Sequence, residues 1–134
     1  YGVFAEEIIS LGIKDIIVIE PSVELAKICI NKGLNVINKF LEDVVISDLP
    51  SGKLLYLSFE LFEHLHSPDL FMKSLHNVMK KDDYFFFTTL SGNGIDIRVL
   101  WENSESVSPP HHLNFFNPKS VKILNVDFNY RRLL

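Results

Sequence analysis

Short runs of β-branched and aromatic residues alternate along this chain with segments of helical periodicity. The runs that fit strands are residues 15–20, 34–37, 54–59 and 84–90. They are apolar without a strict alternation, which is typical of parallel strands covered on both faces. Strands that alternate with helices imply crossover connections between parallel strands. The alternation therefore predicts an α/β fold with a mostly parallel sheet and helices on both faces.

The segments between these runs carry helix start and stop signals. Ser22, Ser67 and Asn117 stand where they can cap helices, and Gly12 and Gly33 stand where helices end. Spacings of three and four residues predict the inward faces of the first three helices. These faces are Phe4, Ile8 and Leu11; Leu25, Ile28 and Cys29; and Leu70, Phe71, Leu75, Val78 and Met79.

Two further segments complete the chain. Residues 91–117 lack a periodic pattern and are predicted to form a long loop, of the kind that commonly serves as a lid or binding loop. Residues 126–134 are predicted to supply a final strand. We expect residues 1–134 to form a single domain. Because the chain begins inside what looks like a motif, we expect it to be incomplete at its N-terminus.

Composition narrows the class of partner. The chain is 47% hydrophobic with a net charge of -4, and it lacks the basic patch that nucleic-acid binding needs, so a small-molecule partner is expected. No apolar run approaches the roughly 20 residues that span a bilayer. The single cysteine, Cys29, cannot form an internal disulfide and is expected to be a buried helix residue. The expected compartment is the cytoplasm, and a homodimer is among the assemblies open to the chain.

A glycine and an acid near the start of the chain have the spacing of a nucleotide site. Glu20 closes the first strand eighteen positions after Gly2, near the roughly 20 residues that separate such a turn from a ribose-binding acid. The pair suggests an adenosine-type ligand, although a turn glycine and a solvated acid explain it equally well. Glu42 and Asp43 follow the next strand, where an acid could accept a hydrogen bond from an adenine amino group.

Acids and histidines crowd the end of the third strand, at Glu60, Glu63, His64 and His66. A carboxylate near an imidazole can set its tautomer and raise its basicity, which suits proton transfer. These histidines, with His111 and His112 of the long loop, raise the alternative of a zinc site. No recognised ligand spacing is present, so no metal is predicted.

At these residues the chain resembles the class I S-adenosylmethionine-dependent methyltransferases. The resemblance is to a bacterial group with a Glu-His-Leu-x-x-Pro segment after the fourth strand and a Pro-Pro-x-His-Leu-x-x-Phe loop after the fifth. Residues 63–68 and 109–116 match these two motifs, and Ile-Glu-Pro-Ser at residues 19–22 matches the end of the second family strand. The resemblance implies a Rossmann-like sandwich whose first strand is absent from this chain, with S-adenosylmethionine as the cofactor.

The resemblance also implies roles for individual residues. Gly2 matches the last glycine of the loop under the methionine moiety, and Glu20 matches the ribose acid. Glu63 and His64 would face the acceptor, and His112 would come from the loop that closes over it; either histidine would accept the proton, with Glu63 as orienter. The remaining cofactor-binding positions would flank the adenosine, face the adenine and line the methionine side: Pro21 and Ser22; Glu42 and Asp43; and Ser58, Phe59 and Glu60.

The implied activity is methyl transfer to a small-molecule or glycan-type acceptor, in which the protein aligns the reactants and removes a proton. One departure concerns the glycine pair usual before the fifth strand, which is replaced by Lys81, Asp82 and Asp83. Three alternatives stay open. They are a methyltransferase-like domain that binds a cofactor or partner without catalysis, a nicotinamide-dependent oxidoreductase, and a metal-dependent hydrolase.

Overall fold

The computed structural model describes residues 2–126, without the side chains of residues 125 and 126. The chain divides into two compact units, residues 1–50 and residues 51–134. None of the helices among the described residues is long and apolar enough to cross a membrane. The predicted strand at residues 126–134 lies outside the described residues except for Val126, which ends a helix.

Unit 1 is residues 1–50, and its described part, residues 2–50, forms two helices and two short strands. They are α1 (Val3–Ser10), β1 (Ile17–Ile19), α2 (Val23–Asn31) and β2 (Asn35–Ile37). The strands pair in parallel with Val18 opposite Val36, which confirms the predicted crossover. Two single 3-10 turns, Leu41–Asp43 and Ile46–Asp48, follow β2.

The core of unit 1 forms around Ala5, Cys29 and Leu34. Cys29 is 1% exposed, which confirms the prediction of a buried helix residue. The predicted helix faces are partly wrong, because α1 turns Ala5 and Ile9 toward the core, a pair four residues apart. The side chains predicted to be inward that are exposed instead are Phe4, Leu11 and Ile28.

Unit 2 is residues 51–134, and its described part, residues 51–126, forms two strands and three helices. They are β3 (Leu55–Ser58), α3 (Pro68–Val78), β4 (Tyr84–Phe87), α4 (Ile95–Leu100) and α5 (Pro118–Val126). The strands pair in parallel, with Leu55 opposite Tyr84 and Ser58 opposite Phe87. Helix α4 and the turn Trp101–Asn103 correct the prediction of an uninterrupted loop at residues 91–117. The strand predicted to reach residue 90 ends at Phe87.

An aromatic cluster forms the core of unit 2 around Phe62, which is 0% exposed. Its ring stacks on Phe87 with a centroid distance of 4.6 Å and meets the ring of Phe71 edge-on at 5.3 Å. Met72 of α3 and Leu124 of α5 complete the buried cluster. Through this core, the loop after β3 packs against α3 and α5.

Helix α3 begins at Pro68, as predicted, but without the predicted side-chain cap from Ser67. Leu75 and Val78 are buried as predicted, and Met72 joins them. Leu70, predicted to face inward, is 49% exposed. The inward stripe of the helix is therefore rotated slightly from the predicted one.

Helix α3 covers one face of the strand pair in unit 2. Tyr56 of β3 donates a hydrogen bond from its hydroxyl to the Val78 carbonyl at 3.2 Å on that side. The opposite face carries the exposed side chains Leu55, Leu57, Tyr84 and Phe86. Within residues 51–126 the structure therefore does not show the predicted helices on both faces.

Side-chain caps define two other helix starts as predicted. The hydroxyl of Ser22 accepts a hydrogen bond from the Leu25 amide at 3.3 Å. The side-chain oxygen of Asn117 accepts from the amides of Lys119 and Ser120 at 2.9 and 3.1 Å. Each cap satisfies amides that the first turn of a helix leaves without a partner.

Aspartates replace glycine in the turn that precedes β4. Asp82 has a φ of 73°, the left-handed conformation that glycine adopts most easily and aspartate tolerates. The two carboxylate oxygens of Asp83 accept from the Leu54 amide and the Lys80 amide, each at 2.8 Å. Asp83 therefore ties this turn to the start of β3.

Replacing Asp83 with alanine should destabilise the protein, because the amides of Leu54 and Lys80 lose their acceptors in a half-buried setting. We expect the free energy of unfolding to fall by about 1–3 kcal/mol, measured by urea denaturation. Lys81→Ala, an exposed change in the same turn, is the control and should stay near the wild-type value. Equal stability of Asp83→Ala and the control would contradict the role assigned to the carboxylate.

Candidate functional site

Two loops of unit 2 lie against each other at the end of β3. Residues 59–67 between β3 and α3 are called the EHL loop, and residues 104–117 before α5 are called the PPHH loop. The carbonyl of Glu63 accepts from the amides of Leu113 and Asn114 at 2.6 and 3.1 Å. The structure thus joins the two motifs through main-chain hydrogen bonds.

The side chain of Asn114 adds a second connection between the loops. Its amide nitrogen donates to the carbonyls of Phe62 and Leu65 at 3.1 and 2.6 Å. These carbonyls flank the Glu63–His64 pair, so one side chain holds both sides of the turn. Asn114 occupies a variable position of the motif, and the sequence reasoning missed it.

The two acids of the EHL loop are bound by threonines that follow β4. The Thr88 hydroxyl donates to Glu60 at 2.6 Å, and the Thr89 hydroxyl donates to Glu63 at 2.9 Å. Glu60 has a φ of 47°, and its amide donates to the Thr88 carbonyl at 3.1 Å. Neighbouring parallel strands end side by side, and this register is the signal that could have identified both threonines.

The imidazole rings of His64 and His112 lie 5.0 Å apart between centroids. Nδ1 of His64 lies 2.7 Å from the carbonyl oxygen of His111, and Nδ1 of His112 lies 2.7 Å from that of Ser106. A carbonyl oxygen only accepts, so each neutral ring carries its proton on Nδ1. Nε2 of each ring is then the nitrogen with a free electron pair, as a general base requires.

The predicted pairing of Glu63 with His64 is not what the structure shows. The Glu63 carboxylate accepts from Thr89 and is almost completely buried, at 2% exposed. The acceptor at Nδ1 of His64 is the His111 carbonyl instead. A main-chain oxygen, rather than a carboxylate, therefore sets the orientation of this ring.

A further carboxylate stands behind His112. Asp96 of α4 accepts from the hydroxyls of Ser104 and Ser106 at 2.8 and 2.6 Å, both on Oδ2. The hydrogen bond from Ser106, followed by that from Ser104, holds the pKa of Asp96 below its usual value of 3.8. These residues fall in the segment predicted as an irregular loop, and no motif marked them.

Ser58 and Phe59 lie at the carboxyl end of β3. Ser58 is 8% exposed, and its hydroxyl is a buried side-chain oxygen without a hydrogen-bond partner among the described residues. An unsatisfied buried hydroxyl is uncommon and costs free energy. The ring of Phe59 is 6.1 Å from that of Phe86. The strand end therefore offers one polar group with unused bonding capacity.

In unit 1, Glu20 follows directly after β1 with its carboxylate held in place. Its Oε1 accepts from the Ser22 amide at 2.9 Å. The side chain of Asn38, which the sequence reasoning missed, donates to the carbonyls of Glu20 and Pro21 at 2.7 and 3.1 Å. A carboxylate accepts about four hydrogen bonds, so the capacity to accept from a diol remains.

The other predicted residues of unit 1 are spread over its surface and core. Gly2 caps α1 with a φ of 72°, and a side chain there would lie 2.7 Å from Leu34, which precedes β2. Gly2 thus lies beside the core side chains of Leu34 and Cys29, whereas Glu20 directly follows β1. Glu42 and Asp43 are exposed in the turn that follows β2.

Among residues 2–126 no three histidine, cysteine or acidic side chains lie close enough together to hold a metal ion. His64 and His112 can take a proton at Nε2, and Glu20 can accept from hydroxyl groups.

A family model described as a methyltransferase domain matches residues 1–133 of the chain. No curated protein and no solved structure matches the chain significantly. The family match covers both motifs and the strand-end acid.

Replacing Asn114 with alanine should loosen the PPHH loop, because the carbonyls of Phe62 and Leu65 lose their shared donor. We expect exchange of the Leu113 amide hydrogen to become about 10-fold faster, equivalent to about 1.4 kcal/mol, measured by hydrogen exchange under native conditions. Asn77→Ala on the exposed side of α3 serves as control and should leave this amide unchanged. Wild-type protection in Asn114→Ala would show that the main-chain bonds alone hold the loop.

Proposed function

Because the chain belongs to the methyltransferase-domain family, we propose that it transfers a methyl group from S-adenosylmethionine to a small-molecule or glycan-type acceptor. The observation that carries this proposal is the pair His64 and His112, each with Nδ1 bound to a carbonyl. That arrangement leaves two basic nitrogens at the point where the two motifs meet.

S-adenosylmethionine supplies a methyl group on a positively charged sulfur, which a nucleophile attacks in line. With this cofactor bound, the acceptor hydroxyl or amine would take the methyl group, and the electron pair of the broken carbon–sulfur bond would stay on sulfur. The nucleophile must lose a proton, and Nε2 of His64 or His112 receives it. His64 is exposed, so its proton can pass to water.

The cofactor-binding residues are assigned within each unit. In unit 1, Glu20 accepts from the ribose hydroxyls, and Pro21 and Ser22 flank the adenosine; the bond from the Ser22 amide supports this by fixing the carboxylate. Gly2 is assigned to the methionine moiety and Glu42 and Asp43 to the adenine. In unit 2, Ser58, Phe59 and Glu60 line the methionine side.

The residues present fit such a ligand in their chemistry. The ligand carries hydroxyl and amino donors, for which the Glu20 carboxylate is an acceptor of suitable type. It also carries groups that would form a hydrogen bond with the Ser58 hydroxyl, which has no partner among residues 2–126. A small-molecule or glycan acceptor carries hydroxyl groups of the kind that a neutral imidazole deprotonates.

Replacing Glu20 with alanine should weaken cofactor binding, because the ribose hydroxyls lose a charged acceptor. We expect the Kd for S-adenosylhomocysteine to rise about 10- to 100-fold, measured by calorimetric titration. Glu24→Ala, an exposed acid on α2 of the same unit, should bind like wild type. Titration with NADH runs in parallel, and saturable binding of NADH alone would overturn the cofactor assignment in favour of an oxidoreductase.

Replacing His64 or His112 with asparagine tests the proton acceptor, since the asparagine amide can still donate where Nδ1 did. We expect turnover to fall about 10²- to 10⁴-fold for the residue that acts as base. Turnover is measured as S-adenosylhomocysteine formed from S-adenosylmethionine with a panel of hydroxyl-bearing sugars. Affinity for S-adenosylhomocysteine should be kept.

His76→Asn, on the exposed side of α3, is the control for these variants. Wild-type turnover in both His64→Asn and His112→Asn would remove the two histidines from the mechanism. Absence of turnover in wild-type protein despite cofactor binding would favour the non-catalytic alternative.

A further inference from the structure

We propose that Asp96 is a positioning residue for His112, acting through the turn at residues 104–106. The inference rests on the proposed function, in which His112 contributes to proton transfer. It concerns a residue that lies outside both motifs. Four hydrogen bonds on the path from Asp96 to the imidazole carry the argument.

The first step is the pair of hydrogen bonds by which Asp96 holds the turn at residues 104–106. Its Oδ2 accepts from Ser104 and Ser106 at 2.8 and 2.6 Å. The Ser104 hydroxyl also accepts from the Ser106 amide at 3.2 Å, and Ser104 is 3% exposed. Asp96 therefore holds Ser106 both directly and through a buried neighbour.

The second step leads from the turn to the ring. The carbonyl of Ser106 accepts from Nδ1 of His112 at 2.7 Å. Ser106 thus binds Asp96 with its side chain and His112 with its main chain. Because the two contacts belong to one residue, the hydrogen bond from its side chain to Asp96 restrains the carbonyl that orients the imidazole.

The local sequence leaves room for this carboxylate. A side chain at Gly94 would lie 2.5 Å from Oδ1 of Asp96 and 3.1 Å from the Ser91 carbonyl. The hydrogen bonds from Ser106 and Ser104 lower the pKa of Asp96, which favours its ionised form. Hydrogen bonds to an ionised acceptor are stronger than those between neutral groups. The hydrogen bonds from Ser104 and Ser106 therefore hold the turn most strongly when Asp96 is ionised.

His64 provides an internal comparison. Its ring is oriented by the His111 carbonyl, and the His111 amide donates to the Ser108 carbonyl at 2.8 Å. This path passes through the PPHH loop without using Asp96. Loss of Asp96 should thus affect His112 more than His64.

The test compares Asp96→Ala and Asp96→Asn with wild type in the full chain. The primary readout is the ¹⁵N spectrum of the histidine side chains, which distinguishes a proton on Nδ1 from one on Nε2; the His112→Asn variant assigns the His112 signals. We expect Asp96→Ala to lose the preference of His112 for the Nδ1 tautomer. Asp96→Asn, which keeps an acceptor oxygen, should keep most of that preference.

Kinetics give the second readout. We expect kcat of Asp96→Ala to fall about 10- to 100-fold, because a misoriented His112 accepts the proton less efficiently. KM and the Kd for S-adenosylhomocysteine should stay near wild type. Asp83→Ala is the matched control, because Asp83 is another turn-holding carboxylate of unit 2 but is not part of this path. It should change stability without changing the His112 tautomer.

The outcomes separate this proposal from the proposed function. An unchanged His112 tautomer in Asp96→Ala overturns the positioning role, whatever happens to turnover. A changed tautomer together with full turnover in His112→Asn supports positioning but removes His112 as the base. If Asp96→Ala does not fold, Ser106→Ala takes its place, since it removes the hydroxyl link and keeps the carbonyl; an unchanged tautomer there also overturns the proposal.

Discussion

The main-chain hydrogen bonds between Glu63 and the PPHH loop are the constraint on which the candidate site depends. The Glu63 carbonyl accepts from two successive amides, at residues 113 and 114. The carbonyl that orients His64 belongs to His111, two residues before them. If the loops separated at Glu63, His64 would lose the acceptor for Nδ1 and its tautomer would no longer be set.

The aromatic core of unit 2 packs against the residues that make these hydrogen bonds and stabilises their positions. Phe62 precedes Glu63 and is completely buried, and its ring meets that of Phe116 edge-on at 5.8 Å. An aromatic pair contributes about 0.5–1.5 kcal/mol beyond the area it buries. A typical hydrogen bond contributes about the same net amount. Neither term dominates, so the join between the loops depends on the packing of Phe62 and Phe116 as much as on the polar contacts.

The sequence predicted the elements better than it predicted their faces. Parallel strand pairs, the Ser22 and Asn117 caps and the burial of Cys29 all follow from local signals that need no knowledge of neighbours. Local signals did not predict which side chains of α1 face the core. Ala5 faces the core because a small residue fits beside Cys29 and Leu34, and hydrophobicity alone favoured Phe4.

The residues of the candidate site differ in the same way in how far the sequence could predict them. His64 and His112 were identified because their motifs are continuous in sequence, and the structure brings their rings together. Thr88, Thr89, Asp96 and Ser106 act through contacts between segments far apart in sequence, so no local pattern marks them. The pairing expected between Glu63 and His64 is absent for a related reason, since Nδ1 of His64 lies against the His111 carbonyl and the Glu63 carboxylate accepts from Thr89 at the neighbouring strand end.

Both imidazoles in this site are oriented by main-chain oxygens, and this has a consequence for how such a protein can change. A carbonyl is present at every position whatever side chain the residue carries. The side chains of His111 and Leu113 are exposed, so they can be exchanged without removing the oxygen at residue 111 or the amide at residue 113. The surface of the loop can therefore change in sequence while the main-chain groups that orient the two imidazoles stay in place.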